Sequence, residues 1–539
     1  MGLTATRPGG IVPASPPPRP TMNTRKLPIG IQTFAKIRED DCYYVDKTGF
    51  IRQLIAAGSQ YFLSRPRRFG KSLLIDTIAE VFAGNEPLFR GLEIHPHWDW
   101  SVRFPVIRLS FAEGVLHSRA ALDARIDDLL RINAEALDLT LHPGLDVAGT
   151  FGDLIRRAQT RHGQRVVVLV DEYDKPILDN LTDPDTARAM RDGLRNLYSV
   201  IKGADAHLRF AFLTGVSKFS KVSIFSGLNN LNDITIDARY SALCGYTEAD
   251  VDQVFAPELP GLDRAEVRRW YNGYNWTGEA VYNPFDLLLL FAKREFRAFW
   301  FETGTPTFLV DLLTRRQFFT PRLAQLRADD ALLSAFDVDQ IAPEALLWQT
   351  GYLTFTGSRR LGARLEYTLG YPNLEVEAAL NDCLAKAMIG EPGQASELAS
   401  RLYDVLVGGD FEALRAHVQA LFDAIPHQWH DNNPIARYEG FYASVFYSHI
   451  AALGLDLTPE DATSHGRIDL TLRFNAQVWL FEFKVVELAP AGRALQQLKD
   501  RGYADKYRAQ GLPIHLIGIE FSRERRTLVG FEVETLAPT

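Results

Sequence analysis

The stretch FLSRPRRFGKSLLIDTIAEVF, residues 62–82, reads as the end of an apolar strand, a loop and the opening of a helix. Within it, Arg65–Ser72 (RPRRFGKS) fits the phosphate-loop spacing GxxxxGK[ST] at every position except the first, where Arg65 replaces glycine. Backbone amides around Gly70 and Lys71 would face phosphates at the positive end of the helix, with the Lys71 ammonium on the β- and γ-phosphates and the Ser72 hydroxyl on Mg2+. The missing glycine bears on turn geometry rather than on these contacts. Arg65, Arg67 and Arg68 can add positive charge and Phe69 belongs to the same loop, while Pro66 removes one backbone donor.

Downstream, RVVVLVDEYD (165–174) supports this reading. Val166–Val170 suits a strand buried on both faces, and Asp171 stands at its carboxyl end, where open α/β sheets bind ligands. Asp171 is a candidate to hold magnesium and Glu172 to orient or deprotonate the attacking water; helix capping is the alternative for both. RFAFLTG (209–215) brings Thr214, followed by Ser217 and Lys218, as candidates to sense a γ-phosphate, and a plain loop accounts for them equally well. Strand-helix alternation across 27–240 predicts a mostly parallel sheet with helices on both faces. Residues 241–395 read as a helical lid or linker, opened by a capping box at Thr247 and Asp250. Residues 396–539 read as a smaller α/β unit, and 1–26, rich in Pro, Gly, Thr and Arg, as a disordered leader.

Taken together, LPIGIQTFAKIREDDCYYVDKTGFI, SRPRRFGKS, VDEYDKPI, TGVSKFSK, FSGLNNLNDIT and YNGYNW resemble prokaryotic AAA-like ATPases whose tail is a PD-(D/E)xK nuclease-superfamily domain. The resemblance covers nearly everything after residue 27. It implies a P-loop fold that binds ATP, a restriction-endonuclease-like tail that depends on Mg2+ and has Mn2+ as an alternative, and a setting in prokaryotic defence or in a mobile-element function. It also implies that an arginine at position 65 is the family's ordinary form.

The tail carries its own signal. In VWLFEFKVV (478–486), Val478, Leu480, Glu482, Lys484 and Val486 share one strand face, so a carboxylate and an ammonium sit side by side among apolar residues. A short turn at NAQ folds Asp469 of the preceding strand toward Glu482. Two carboxylates about 4 Å apart repel by about 4 kcal/mol at an effective dielectric near 20, which favours a divalent cation between them. Lys484 could then activate water or steady the phosphate; a structural ion pair is the plainer alternative. The resemblance adds Glu439 as an upstream acid completing the metal site and Gln497 as a polar partner on the following helix, with Tyr503 and Tyr507 nearby. A solvated helix face accounts equally well for Glu439, for Gln497, and for Arg493, Lys499, Arg501, Lys506 and Arg508, which could otherwise track a phosphate backbone.

Composition narrows the field. The chain of 539 residues has a net charge of -8, so nucleic-acid contact must be a local patch. Cys42, Cys244 and Cys383 are too scattered for a disulfide framework or a zinc cluster, and no run approaches the roughly 18 apolar residues of a membrane span. A soluble cytoplasmic protein is expected. Histidines in HPHW (95–98) and HQWH (427–430) lack a third ligand, and Trp270, Tyr271, Tyr274 and Trp276 suit either base stacking or a lid core. The function expected is an ATPase whose nucleotide state controls a nuclease on DNA, or less favourably RNA, with nucleotide-dependent homo-oligomers and Arg239 as a candidate arginine finger. The alternative is a nucleotide-switched binding or STAND-like signalling protein whose tail grips without cutting.

Overall fold

The computed structural model describes residues 25–218, 230–303, 307–316, 318–334, 336–337, 340–425, 439–525 and 527–538. The first 24 residues of the expected leader, HQWH and most of the loop after Lys218 lie outside them.

Strands β1 (Gln60–Ser64), β2 (Val106–Ser110), β3 (Val166–Asp171), β4 (Leu208–Gly215) and β5 (Asn232–Asp233) form a five-stranded sheet in the order β2-β3-β4-β1-β5, every pairing parallel. Both β1 and β3 are buried at every position, as unbroken apolar runs in a covered parallel sheet should be. Because all strands point one way, the loops after β1, β3 and β4 open on the same edge. Helices Lys71–Ala83, Arg119–Ala136, Val147–His162 and Pro184–Gly203 cover the sheet.

The middle region is largely helical and opens with the capping box, Thr247 and Asp250 each bonding the other's backbone. It also carries an antiparallel sheet that periodicity did not separate: β6 (Leu326–Asp329), β9 (Thr354–Leu361) and β10 (Arg364–Gly370) in the order β6-β10-β9, with the two-residue pair β7 (Phe336–Asp337) and β8 (Gln340–Ile341) between. The β9-β10 hairpin is exposed from Thr356 to Leu365, so its buried alternation is confined to a short base at Phe355, Tyr367 and Leu369, too brief to read as a strand period. One apolar core runs from Phe34 to Leu384 and joins this region to the five-stranded sheet.

A second core begins at Ile389. Here β11 (Asp456–Thr463), β12 (Gly466–Phe474), β13 (Gln477–Val486), β14 (Ile514–Ser522) and β15 (Leu528–Leu536) form a sheet in chain order, antiparallel except between β13 and β14. The edge strand β11 was missed in the sequence because Pro459 interrupts it and Glu460 has φ 49°. Odd positions of β13, Trp479, Phe481 and Phe483, face the helices around residues 395–451; Val478 and Leu480 face the helical segment 494–507. Among the described residues no helix is long and apolar enough to cross a membrane.

Candidate functional sites

Beyond β1 the chain turns through two residues of positive φ, Arg68 at 68° and Gly70 at 87°, into helix Lys71–Ala83. The left-handed turn expected of a first glycine therefore falls at Arg68 and Gly70. Arg65 continues β1, its amide donating to the Gly215 carbonyl at 3.2 Å. Its side chain is wholly buried and points away from the loop's open side: Nη1 donates to the carbonyls of Ser64 (2.8 Å) and Thr235 (2.9 Å), Nη2 to that of Tyr240 (3.1 Å), and the guanidinium lies 4.0 Å from the Trp276 ring. Burial lowers its pKa to about 10. Arg65 thus positions the loop, which corrects its expected place among the phosphate contacts. Phe69 likewise packs inward, edge-on to Tyr274 and Trp276. That cluster, with Tyr271, is core under the middle region, and Trp270 is half-buried beside it.

Lys71 Nζ donates to the carbonyls of Arg65 (3.0 Å) and Pro66 (2.9 Å), which holds the ammonium across the mouth of the loop. Burial pulls its pKa below the ordinary lysine value, against the field of Asp171, Asp174 and Glu172. The loop, with Arg67, Arg68, Phe69, Gly70, Lys71 and Ser72, lines a cleft of about 570 Å³, within the usual range for small-molecule sites. Glu172 and Asp174 also line it, while Asp171 is buried outside the lining and accepts from the Glu172 amide at 3.0 Å. Glu172 has φ 51°, an uncommon conformation for a non-glycine residue. Burial, then Asp171, pushes its carboxyl pKa upward. The Thr214 hydroxyl is spent on the Leu63 carbonyl (2.8 Å), tying β4 to β1, so it does not face the cleft as a sensor would. Lys218 pairs with Asp233 at 2.6 Å, and Arg239 is exposed and paired with Asp237.

Sequence reasoning passed over Asp174 and the cleft's far wall. Asp174, wholly buried, accepts from the Val216 amide and from the amide (2.6 Å) and hydroxyl (2.5 Å) of Ser217, so it shapes the turn after β4. Ile31, Tyr43, Tyr246, Phe285 and Leu288 give the cleft an apolar end, brought together from three distant segments. Only the motif string LPIGIQTF hinted at them.

In the tail, the register that pairs Leu470 with Phe481 brings Asp469 and Glu482 next to each other. The turn between β12 and β13 is a tight two-residue one, Asn475 and Ala476 both at positive φ. Glu482 is 1% exposed. Its Oε1 accepts from Lys484 Nζ (3.1 Å) and from the Gln497 amide group, while Oε2 is buried with no partner. Asp469 Oδ2 accepts from the Phe483 amide at 2.8 Å. Lys484 Nζ also donates to Glu439 Oε2 at 3.2 Å and to the Phe483 carbonyl at 3.0 Å. Burial and then Asp469 push the Glu482 pKa upward, and burial does the same for Asp469. Burial opposes the Lys484 charge, but Glu482, Glu439 and Asp469 together hold its pKa above the ordinary value. The fold thus brings Glu439, Asp469, Glu482, Lys484 and Gln497 into one cluster.

The predicted AAA-ATPase family matches residues 28–225, and the PD-(D/E)XK nuclease superfamily matches residues 437–531. A protein of Azotobacter chroococcum mcd 1, described as "Uncharacterized protein in vnfD 5'region", is 67% identical over 516 residues, 96% of this chain and 100% of its own. This chain belongs to that family, an AAA-like ATPase head on a PD-(D/E)XK tail. No solved structure matches it.

The family's tail implies a divalent metal. Among the described residues no three His, Cys, Asp or Glu side chains are arranged to hold an ion; Glu439, expected to complete a site of three acids, is bonded to the Lys484 ammonium, which also bonds Glu482. The unpartnered Glu482 Oε2 beside Asp469 nevertheless fits a cation, since a buried carboxylate oxygen without a partner is costly. Gly518, passed over in the sequence, pairs with Glu482 across β13 and β14; a Cβ there would meet the Leu495 backbone nitrogen at 2.3 Å. Its bareness lets helix Arg493–Asp500 approach closely enough for Gln497 to reach Glu482. Tyr503 and Tyr507 are core residues, the latter bonded to Asp461. Lys499, Arg501, Lys506 and Arg508 are occupied by Glu534, the His465 carbonyl, Asp461 and Asp505.

Proposed function

We propose that the chain binds and hydrolyses ATP in the front cleft and that its nucleotide state controls a Mg2+-dependent nuclease in the tail, acting on DNA in preference to RNA. The observation that carries the nuclease is Glu482, a fully buried carboxylate with one oxygen unpartnered, flanked by Asp469 and Lys484. In the front cleft, Lys71 and the amides at the start of its helix bind phosphates. Ser72 and Asp171 would hold magnesium, and Glu172, with its pKa held upward, accepts the proton of the attacking water. In the tail, Asp469 and Glu482 would hold a divalent cation, which supplies Lewis-acid polarisation of the scissile phosphate, with Glu439 kept beside them through Lys484. Lys484 neutralises developing negative charge, and Gln497 fixes the orientation of Glu482. Defence against foreign nucleic acid suits an ATP-gated nuclease.

A continuous set of contacts supports control of one site by the other. Trp300 Nε1 donates to the Arg67 carbonyl of the phosphate loop (3.1 Å), and the Trp300 amide donates to Glu375 (2.8 Å). Glu375 lies in the first turn of helix Leu374–Ile389, which packs on helix Glu439–Ala451, whose first residue bonds Lys484.

One observation favours a second reading, a nucleotide-switched binder: Lys484 bridges Glu439 and Glu482 where a cation would be drawn. Cleavage of labelled DNA and RNA with Mg2+ or Mn2+, with and without ATP, separates the two. The nuclease reading expects metal-dependent cleavage that Lys484→Ala abolishes and whose ATP response Lys71→Ala abolishes. Inertness of the wild type on every substrate promotes the binder.

A further inference from the structure

Helix Thr307–Arg315, β6, helix Asp330–Ser334, helix Pro343–Thr350 and the β9-β10 hairpin come in the order of a winged helix-turn-helix unit, with the short β7-β8 pair inserted between the second and third helices and β10 central in its sheet. Its third helix is not available to a ligand: Ala345, Leu346, Leu347, Trp348 and Gln349 are buried, and Gln349 is hydrogen-bonded to Lys218. The hairpin is different. From Thr356 to Arg364 every residue is exposed, and the strands close through a tight turn at Gly362–Ala363.

This ribbon is locally basic in an acidic chain. Between Thr354 and Gly370 it carries Arg359, Arg360 and Arg364 against the single acid Glu366, and Arg327 extends from the neighbouring strand β6. Glu366 is shared by Arg359 (2.6 Å) and Arg327 (3.8 Å), whereas Arg360 and Arg364 have no ion-pair partner among the described residues. The cross-strand pairs Leu361–Arg364 and Arg360–Leu365 place an arginine beside an exposed leucine on each face. Cations left unpaired on a protruding ribbon complement a phosphate backbone, which attracts them with release of counterions. A two-stranded ribbon enters the major groove of B-form DNA, whereas the A-form groove of duplex RNA is too deep and narrow.

We infer that the β9-β10 ribbon is a docking element for double-stranded DNA, gripping the duplex through Arg360 and Arg364. The inference rests on the proposed nuclease reading and names how its substrate is held. It also accounts for a grip that the tail's own helices, whose cations are largely spoken for, do not supply.

Fluorescence anisotropy of a short labelled DNA duplex with full-length protein in EDTA, across a salt series, tests it. Arg360→Glu/Arg364→Glu should weaken binding at least tenfold and reduce the salt slope by about two, while Arg131→Glu on a distant helix leaves both unchanged. Both arginines are exposed, so an unchanged thermal midpoint shows that the variant is folded. Wild-type affinity and slope in the variant overturn the inference, as does equal binding of duplex RNA or no duplex binding by the wild type. Loss of cleavage in Lys484→Ala is read separately, so the ribbon can fail while the nuclease stands, and the reverse.

Discussion

Arg65 was the most ambiguous residue in the sequence and is among the most constrained in the fold. Its guanidinium is held by three carbonyls and the Trp276 face, so restoring the expected glycine removes support instead of repairing the loop. Arg65→Gly should lower unfolding stability by about 3 kcal/mol, since buried carbonyls lose charge-assisted donors. Chemical denaturation measures this, and a stability equal to wild type would show that the strut is dispensable. The Walker-type spacing around Gly70, Lys71 and Ser72 was legible because those contacts are local in sequence. The inward direction of Arg65, Phe69 and Thr214 was not, because their partners at 235, 240, 274, 276 and Leu63 are placed by the fold.

Between elements, close approach decides the geometry of the tail. Gly518→Ala should push helix Arg493–Asp500 off β14, cost about 1–3 kcal/mol and break the Gln497–Glu482 bond. Nuclease activity should fall while ATP hydrolysis persists; unchanged cleavage would mean that Gln497 does not orient Glu482. Helices Phe411–Asp423 and Glu439–Ala451 meet at two buried imidazoles, His417 and His449, their Nε2 atoms 3.0 Å apart. Burial lowers His417 to about 4, with Arg401 adding to it, and lowers His449 to about 3, with His417 adding and the Leu398 carbonyl opposing. Below the ordinary imidazole value of 6.5 the unfolded chain takes up protons that the native pair refuses, so stability falls as pH drops from 6.5 toward 4. The loss is about 1.4 kcal/mol per pH unit for each imidazole. Thermal midpoints from pH 7 to about 4.5 should fall more steeply in wild type than in His417→Leu/His449→Leu; parallel curves would remove the pair as the cause.

Across the whole molecule, the question is whether the two heads communicate. Trp300→Phe keeps an aromatic ring but loses the hydrogen bond to the Arg67 carbonyl. ATP hydrolysis should continue, while the ratio of cleavage with and without ATP shrinks about fivefold, the effect of roughly 1 kcal/mol of coupling. An unchanged ratio would locate communication elsewhere, for instance where Thr320 and Ser448 join the middle region to the tail.

What the sequence determined by itself is what local order and periodicity encode. The phosphate loop before its helix, the unbroken Val166–Val170 strand ending in acids, and the alternation that puts Glu482 and Lys484 on one face were all readable, since each depends on near neighbours. Tertiary structure alone decided that Lys484 bridges Glu439 and Glu482, that Gly518 admits Gln497, and that Arg360 and Arg364 have no ion-pair partner among the described residues while most cations on the tail's last helices are paired. Those outcomes depend on residues far apart in the chain meeting at a few ångströms, and spacing along a sequence carries no measure of that distance.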